Sequence, residues 1–276
     1  MCGIIGFTGR KPAKDILIDG LERLEYRGYD SAGIALLNDD DTLTIRKKAG
    51  RVSELRELCK DGDYSSTCGI GHTRWATHGG VTDANAHPHR CGNVALIHNG
   101  IIENYSDIIR EYGLADKLVS ETDSEVVAAL LDTLYDGDPI AAIRKAVKII
   151  AGSFALCIMF ADRPGIIYAV RNVSPMVAAH SEEGSIIASD LTAIISFSKD
   201  YFVVPEYHIL TMTQEGIRVE DLKGNEVKPQ MLEITWDITA AQKGGFPHFM
   251  LKEIYEQPES LRNTITPRIV NSLPDF

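Results

Sequence analysis

The chain has 276 residues, of which 44% are hydrophobic and 24% charged, as is usual for a folded globular protein with one large domain or two small ones. Its formal net charge of −11 argues against nucleic acid as a ligand, because phosphate binding favours a basic surface. No apolar run approaches the ~20 residues of a membrane span, and no secretory signal is evident. With five scattered cysteines that lack metal-type spacing, these features predict a cytoplasmic protein with reduced thiols and no membrane partner.

The N-terminal segment carries the first chemical signal. Cys2 follows the initiator methionine, and its small side chain is of the kind that permits removal of Met1. Cys2 would then combine a thiol with a free α-amine, whose pKa near ~7.7–8.0 leaves an unprotonated fraction at neutral pH. Such an amine can accept the thiol proton and return it to a leaving group. The alternative is a small apolar residue that opens a strand, since buried free cysteines are common.

Apolar runs and helical periodicity predict the elements that follow. In chain order they are a strand over 3–8, a helix that buries Leu17, Leu21 and Leu24, and hairpin strands over 31–37 and 43–48. The helix is expected to end near Gly28, in a left-handed conformation. The segment 68–100 is poor in helix signals and is assigned to strands and loops.

Arg74 and Trp75 form a candidate substrate-binding pair within this segment. The planar guanidinium of arginine can bind a carboxylate through two parallel hydrogen bonds. Trp75 beside it could wall off water. The alternative is a surface arginine next to a half-buried tryptophan in a strand.

Three possible metal ligands lie a little further along the chain. His87, His89 and Cys91 would share one face of a strand, because side chains two residues apart point the same way. However, Pro88 interrupts a strand, and a closed structural zinc site needs four ligands. We therefore expect no metal here.

Asn99, Gly100 and Asp123 each allow two interpretations. Asn-Gly is a hairpin-turn signal, but the Asn99 amide and the Gly100 N–H could instead point together at a developing oxyanion. Asp123 could be a helix N-cap, or its carboxylate could bind a substrate ammonium. In the latter case Arg74 and Asp123 together would recognise both ends of an α-amino acid.

Two helices are predicted next, one capped by Thr122 or Asp123 and the other starting after Asp138 and Pro139. Strands are then predicted over 154–160, 166–170, 176–179 and 185–188, followed by a short helix over 191–197 and further strands to about 226. This order suggests a layered α+β fold with largely antiparallel sheets. The segment beyond about 235 closes no evident core and looks like a connector.

Six of these segments, taken in order, resemble the glutaminase half of the glutamine–fructose-6-phosphate aminotransferase family, also called glucosamine-6-phosphate synthases. They are residues 2–6, 23–33, 72–79, 98–104, 120–123 and 252–258. That half is a class II glutamine amidotransferase domain of the N-terminal nucleophile (Ntn) hydrolase fold. The resemblance runs from residue 2 to about residue 263, and the ordered set is far more specific than any single motif.

The resemblance implies a four-layer αββα sandwich that hydrolyses L-glutamine to glutamate and ammonia without a cofactor. Cys2 would be the nucleophile and its freed α-amine the proton shuttle. Asn99 and Gly100 would form the oxyanion hole. Arg27 would lie near the nucleophile in a supporting role.

The same resemblance implies a substrate pocket. Arg74 would bind the glutamine carboxylate and Asp123 its α-amine, while Thr77 and His78 would line the pocket. Trp75 corresponds to the gate that controls passage of ammonia to a second active site in the family.

Family members continue into two sugar isomerase domains, which bind fructose 6-phosphate and accept the ammonia. We therefore expect a glutaminase domain over 2–235 and a linker towards isomerase domains over 236–276. Such a fragment would hydrolyse glutamine as a monomer, although the full-length enzyme would be a homodimer. The alternatives are a glutaminase domain of another class II amidotransferase, a catalytically silent glutamine-binding module and a zinc-binding interaction domain.

Overall fold

The computed structural model describes residues 2–62, 64–77, 79–235, 246, 249–266, 269–270 and 273–274. The chain divides into two compact units, Met1–Ile234 and Thr235–Phe276. Helices as long and apolar as a bilayer crossing requires are not found among the described residues.

The first unit is built on two antiparallel sheets. Its strands are β1 (Gly3–Gly9), β2 (Ser31–Leu37), β3 (Leu43–Ala49), β4 (Cys68–Arg74), β5 (His89–Cys91), β6 (Val94–Ile102), β7 (Gly152–Phe160), β8 (Ile167–Asn172), β9 (Val177–Ser181), β10 (Gly184–Ala188), β11 (Asp200–Val203), β12 (His208–Thr213), β13 (Gly216–Asp221) and β14 (Leu232–Glu233). Within the described ranges one sheet has eight strands in the order β14-β11-β9-β10-β1-β4-β2-β3. The other has six, in the order β13-β12-β8-β7-β6-β5.

The helices of this unit cover the outer faces of the sheets. They are α1 (Ala13–Leu24), α2 (Val52–Leu58), α3 (Tyr105–Tyr112), α4 (Asp123–Leu134), α5 (Pro139–Ile149) and α6 (Leu191–Ile194). The strands and the helices α1, α4, α5 and α6 match the sequence-based expectations to within a few residues. The short helices α2 and α3 were not predicted.

Three apolar cores establish four layers. Ile4 packs between the two sheets, whereas Ile5 packs against α1, because successive residues of a strand point to opposite faces. Likewise Ile97 of β6 enters the inter-sheet core and Leu96 packs against α4 and α5. The layer order is therefore helix, sheet, sheet, helix, and the predicted α+β αββα sandwich is confirmed.

Side-chain caps fix where α4 and α5, the helices that pack on the six-stranded sheet, begin. The Thr122 hydroxyl accepts a hydrogen bond from the Glu125 N–H at 3.3 Å, so Thr122 rather than Asp123 is the N-cap of α4. Asp138 accepts from the Ala141 N–H at 3.0 Å and caps α5.

Two local interpretations of the sequence are wrong. Gly28 has φ of −178°, which is extended and not left-handed. A Cβ at Gly28 would lie 2.9 Å from both the Arg74 carbonyl carbon and the Trp75 nitrogen, so close backbone approach explains the glycine. Asn99 and Gly100 lie inside β6, paired with β7, and do not form a hairpin turn.

The second unit contains α7 (Phe249–Ile265), with Pro258 inside the helix. It also contains the two-residue strands β15 (Ile269–Val270) and β16 (Leu273–Pro274), which pair in antiparallel fashion.

Loss of the α5 cap should be visible in stability. Replacing Asp138 by alanine (Asp138→Ala) should lower the free energy of unfolding by about 1 kcal/mol, because the Ala141 N–H loses its acceptor. Asp136→Ala is the matched control, since it removes only an exposed ion pair with Lys145 and should cost less than ~0.5 kcal/mol. Urea denaturation followed by circular dichroism measures both, and equal losses would contradict the assignment of the cap.

Candidate active site

Strand alternation brings the candidate residues together at one end of the inter-sheet layer. Cys2 lies two residues before Ile4, and Arg74 and Asn99 continue the inward-facing rows of β4 and β6. Cys2 directly precedes β1, Arg74 ends β4 and Asn99 lies in β6; β1 and β4 are neighbours in one sheet, and β6 belongs to the other. The site is therefore assembled across the two sheets.

Hydrogen bonds from both sheets hold Cys2. Its Sγ accepts from the Trp75 backbone N–H at 3.2 Å, and its carbonyl oxygen accepts from Asn99 Nδ2 at 3.1 Å. Burial raises the pKa of the Cys2 thiol, while the positive charges of Arg74 and Arg27 act in the opposite direction. A thiol of this kind needs a base to become a nucleophile at neutral pH. Met1 lies outside the described residues.

Two adjoining cavities meet at Cys2, Trp75, Thr77 and Gly100, which line both. The smaller, of about 30 Å³, also has Arg74 and Asp123 in its wall, together with His87, His98, Thr122 and Ser124. The larger, of about 240 Å³, is completed by Arg27, Asn99, Ile101, Ser153, Ser174 and Pro175. Cys2 thus stands between a polar recess and a roomier opening.

Arg74 is oriented by backbone carbonyls. Its guanidinium donates to the Gly80 carbonyl at 3.1 Å and to the Gly79 carbonyl at 3.4 Å. The Asn85 side chain donates to the same Gly80 carbonyl at 3.0 Å and also donates to Glu121, so that this loop is fixed. Burial lowers the pKa of Arg74, but the side chain remains a cation at physiological pH.

Asp123 is buried at the start of α4, where its carboxylate accepts from the Ile102 N–H at 2.8 Å. Ser124 Oγ lies 3.4 Å from the other carboxylate oxygen and 2.9 Å from His98 Nδ1. The carboxylate is therefore held in place while it lines the same recess as Arg74.

Arg27 lines the larger cavity, as its proposed position near the nucleophile requires. It forms a largely buried ion pair with Asp190, at 2.9 Å, and Tyr26 donates to the same carboxylate at 2.9 Å. The other oxygen of Asp190 caps α6 by accepting from the Thr192 N–H. Sequence reasoning did not identify Asp190, because the partners are far apart in the chain.

The segment after β4 forms the rim of the site. The side chain of Trp75 is 48% exposed and makes an edge-to-face contact with Tyr29 at 6.2 Å between ring centroids. Asp30 accepts from the Ala76 N–H at 2.8 Å and fixes the backbone there. Thr77 borders both cavities, whereas His78 lies outside the described residues.

The candidate metal ligands do not converge. The His87 and His89 rings are in edge-to-face contact at 4.5 Å, and His89 bonds to the Thr122 hydroxyl. Cys91 instead lies against Asp132, with its sulfur 3.9 Å from a carboxylate oxygen. Across the described ranges, no group of three or more histidine, cysteine or acidic side chains is arranged to hold a metal ion.

Comparison with known proteins shows which proteins this chain is similar to. Residues 72–196 match the model of the glutamine amidotransferase domain. The chain is 43% identical over 279 residues to glutamine–fructose-6-phosphate aminotransferase (isomerizing) of Clostridium acetobutylicum, covering 99% of this chain and 45% of the relative. The enzyme of the same name from Thermus thermophilus is 44% identical over 272 residues, covering 98% and 45%.

A solved structure agrees in fold. Glutamine phosphoribosylpyrophosphate amidotransferase of B. subtilis superposes with a TM-score of 0.69 at 23% identity, over 82% of this chain and 50% of that one. Residues 72–196 therefore belong to the glutamine amidotransferase domain family, and the chain has the αββα sandwich of the Ntn-type amidotransferases. Over 98–99% of its length it is similar to the glutamine–fructose-6-phosphate aminotransferases. It spans about 45% of the length of these relatives.

The raised pKa of the Cys2 thiol predicts how the protein reacts with iodoacetamide. The rate of Cys2 modification should still be rising with pH above the ordinary thiol pKa of ~8.5, because burial keeps the thiolate fraction low. Peptide mass spectrometry over a pH series measures this. The buried Cys68 and Cys157 are internal controls that should stay unmodified in the folded protein. A plateau below pH ~8.5 would contradict the raised pKa.

Proposed function

We propose that this chain hydrolyses L-glutamine to L-glutamate and ammonia through a thioester on Cys2. The observation that carries the proposal is the convergence of Cys2, Asn99, Arg74 and Asp123 on adjoining cavities. Membership of the amidotransferase family supports it independently.

The proposed reaction begins with removal of Met1, which frees the α-amine of Cys2. The thiol attacks the side-chain carbonyl of glutamine, and the α-amine takes the thiol proton directly or through a water molecule. The Asn99 amide and the Gly100 N–H stabilise the oxyanion. The amine returns the proton to the leaving ammonia, and water then hydrolyses the γ-glutamyl thioester and regenerates the thiol.

In this proposal the site binds both charged groups of free glutamine, its α-carboxylate and its α-ammonium. Arg74 pairs with the α-carboxylate and Asp123 with the α-ammonium, while Thr77 and His78 complete the pocket and Trp75 gates the passage of ammonia. Glutamine within a peptide lacks these two charges, so it is a poor substrate. Arg27 supports the wall beside the nucleophile.

The wider role is inferred from the relatives. As part of a longer protein, the domain would supply ammonia for amino-sugar synthesis from fructose 6-phosphate in the cytoplasm, with residues 236–276 leading to isomerase domains. By itself it would act as a monomer, without a cofactor, on L-glutamine alone.

The nucleophile can be tested directly. Cys2→Ala should reduce ammonia release from glutamine to the background rate, because no thioester can form. Cys91→Ala is the matched control and should keep full activity, since Cys91 does not line either cavity. An enzyme-coupled ammonia assay measures the rates, and intact mass gives the state of the N-terminus. Turnover by Cys2→Ala, or full activity in protein that retains Met1 or carries an acetylated α-amine, would refute the mechanism.

The role of Asp123 predicts a change in KM. Asp123→Asn can still accept the Ile102 N–H but loses the charge that pairs with the substrate ammonium. The KM for glutamine should rise by about 10–100-fold, the equivalent of one charged hydrogen bond. Asp132→Asn is the control, because Asp132 lies on the same helix and accepts the Asn93 N–H without lining either cavity. Equal KM values for the two variants would remove Asp123 from the binding site.

A further inference from the structure

His72 is a buried residue that the mechanism above does not use. It lies in β4 within the inter-sheet layer and is completely shielded from solvent. Its Nε2 atom is 3.0 Å from the carbonyl oxygen of His98 and 3.0 Å from Oδ1 of Asn99. A histidine of one sheet therefore contacts Asn99, the candidate oxyanion-hole donor of the other sheet.

The backbone carbonyl decides which ring nitrogen carries the hydrogen. A carbonyl oxygen can only accept, so the hydrogen bond to His98 requires hydrogen on Nε2 of His72. That hydrogen then faces the Asn99 side chain, where an NH₂ group would place donor against donor. The amide of Asn99 must therefore present its oxygen to His72, which leaves Nδ2 on the side of Cys2.

We propose that His72 is a positioning residue, which keeps the Asn99 amide turned so that its NH₂ group faces the nucleophile. The inference rests on the proposed glutaminase function and deepens it. Without His72, the amide could rotate by half a turn and present its oxygen to the developing oxyanion. Two negative oxygens would then repel, and a stabilising donor, worth about 10²–10³ in rate, would be lost.

Because His72 stays neutral, its effect on the orientation of the Asn99 amide does not change with pH. Burial lowers its pKa to about 3, and the positive charge of Arg74 also disfavours a second proton. The ring stacks on His87 with centroids 4.1 Å apart, and its Nδ1 has no hydrogen-bond partner among the described residues. One neutral tautomer, with hydrogen on Nε2, therefore persists through the physiological range.

Two amide replacements of His72 separate positioning from packing. The nitrogen of glutamine can reach the place of Nε2, whereas the nitrogen of the shorter asparagine reaches only that of Nδ1. His72→Asn should lower kcat for glutamine hydrolysis by about 10–10²-fold with little change in KM, because the lost contact acts on the transition state. His72→Gln should restore most of kcat. Equal kcat values in folded His72→Asn and His72→Gln proteins would overturn the proposal.

A double substitution tests whether His72 acts through Asn99. In an Asn99→Ala background, His72→Asn should cause no further loss of kcat, because there is no amide left to orient. Additive losses would contradict the proposal. Absence of glutamine hydrolysis in the unmodified protein would instead refute the proposed function, so the two failures are distinguishable.

The tautomer can be measured without any substitution. In ¹⁵N-labelled protein, the ring nitrogens of His72 should have the shifts of the Nε2–H tautomer, unchanged between about pH 5 and pH 9. The Nδ1–H tautomer, or titration in this range, would overturn the inference even if every His72 variant failed to fold.

Discussion

The register of three antiparallel strands determines whether this site exists. Cys2, Arg74 and Asn99 each continue a row of side chains that faces the layer between the sheets. A slip of one residue in any of these strands would turn its candidate site residue to the opposite face. The isoleucines that fill the layer therefore fix the chemistry as well as the fold, because burying them selects the register.

Backbone groups, rather than further side chains, orient much of the polar machinery. The carbonyls of Gly79 and Gly80 hold Arg74, the Ile102 N–H holds Asp123, and the Trp75 N–H contacts the sulfur of Cys2. Backbone dipoles that are held in place by such hydrogen bonds need no reorganisation as charge develops in a reaction. The main chain of strands and loops thus supports the groups whose direction matters.

Local patterns were enough to predict most elements, whereas the resemblance to a known family proposed the roles of residues that line the two cavities. The apolar period of α1 and the capping signal at Thr122 depend on neighbours in sequence, and both are borne out. The contact of His72 with Asn99 and the pairing of Arg27 with Asp190 join distant segments, so no local pattern reports them. Gly28 was misjudged for the same reason, because its constraint is a close approach to another strand. The roles of the site residues stay predictions.

The central position of β1 has a consequence for biosynthesis. Its neighbours, β4 and β10, begin at Cys68 and Gly184, so they leave the ribosome long after the N-terminal end of the nascent chain. During that interval the first residues have no sheet to join, so they would be accessible to a methionine aminopeptidase, as the proposed mechanism requires. Under the proposed mechanism, removal of Met1 would precede the burial of Cys2, and the site around its thiol would be assembled only after β10 has been synthesised.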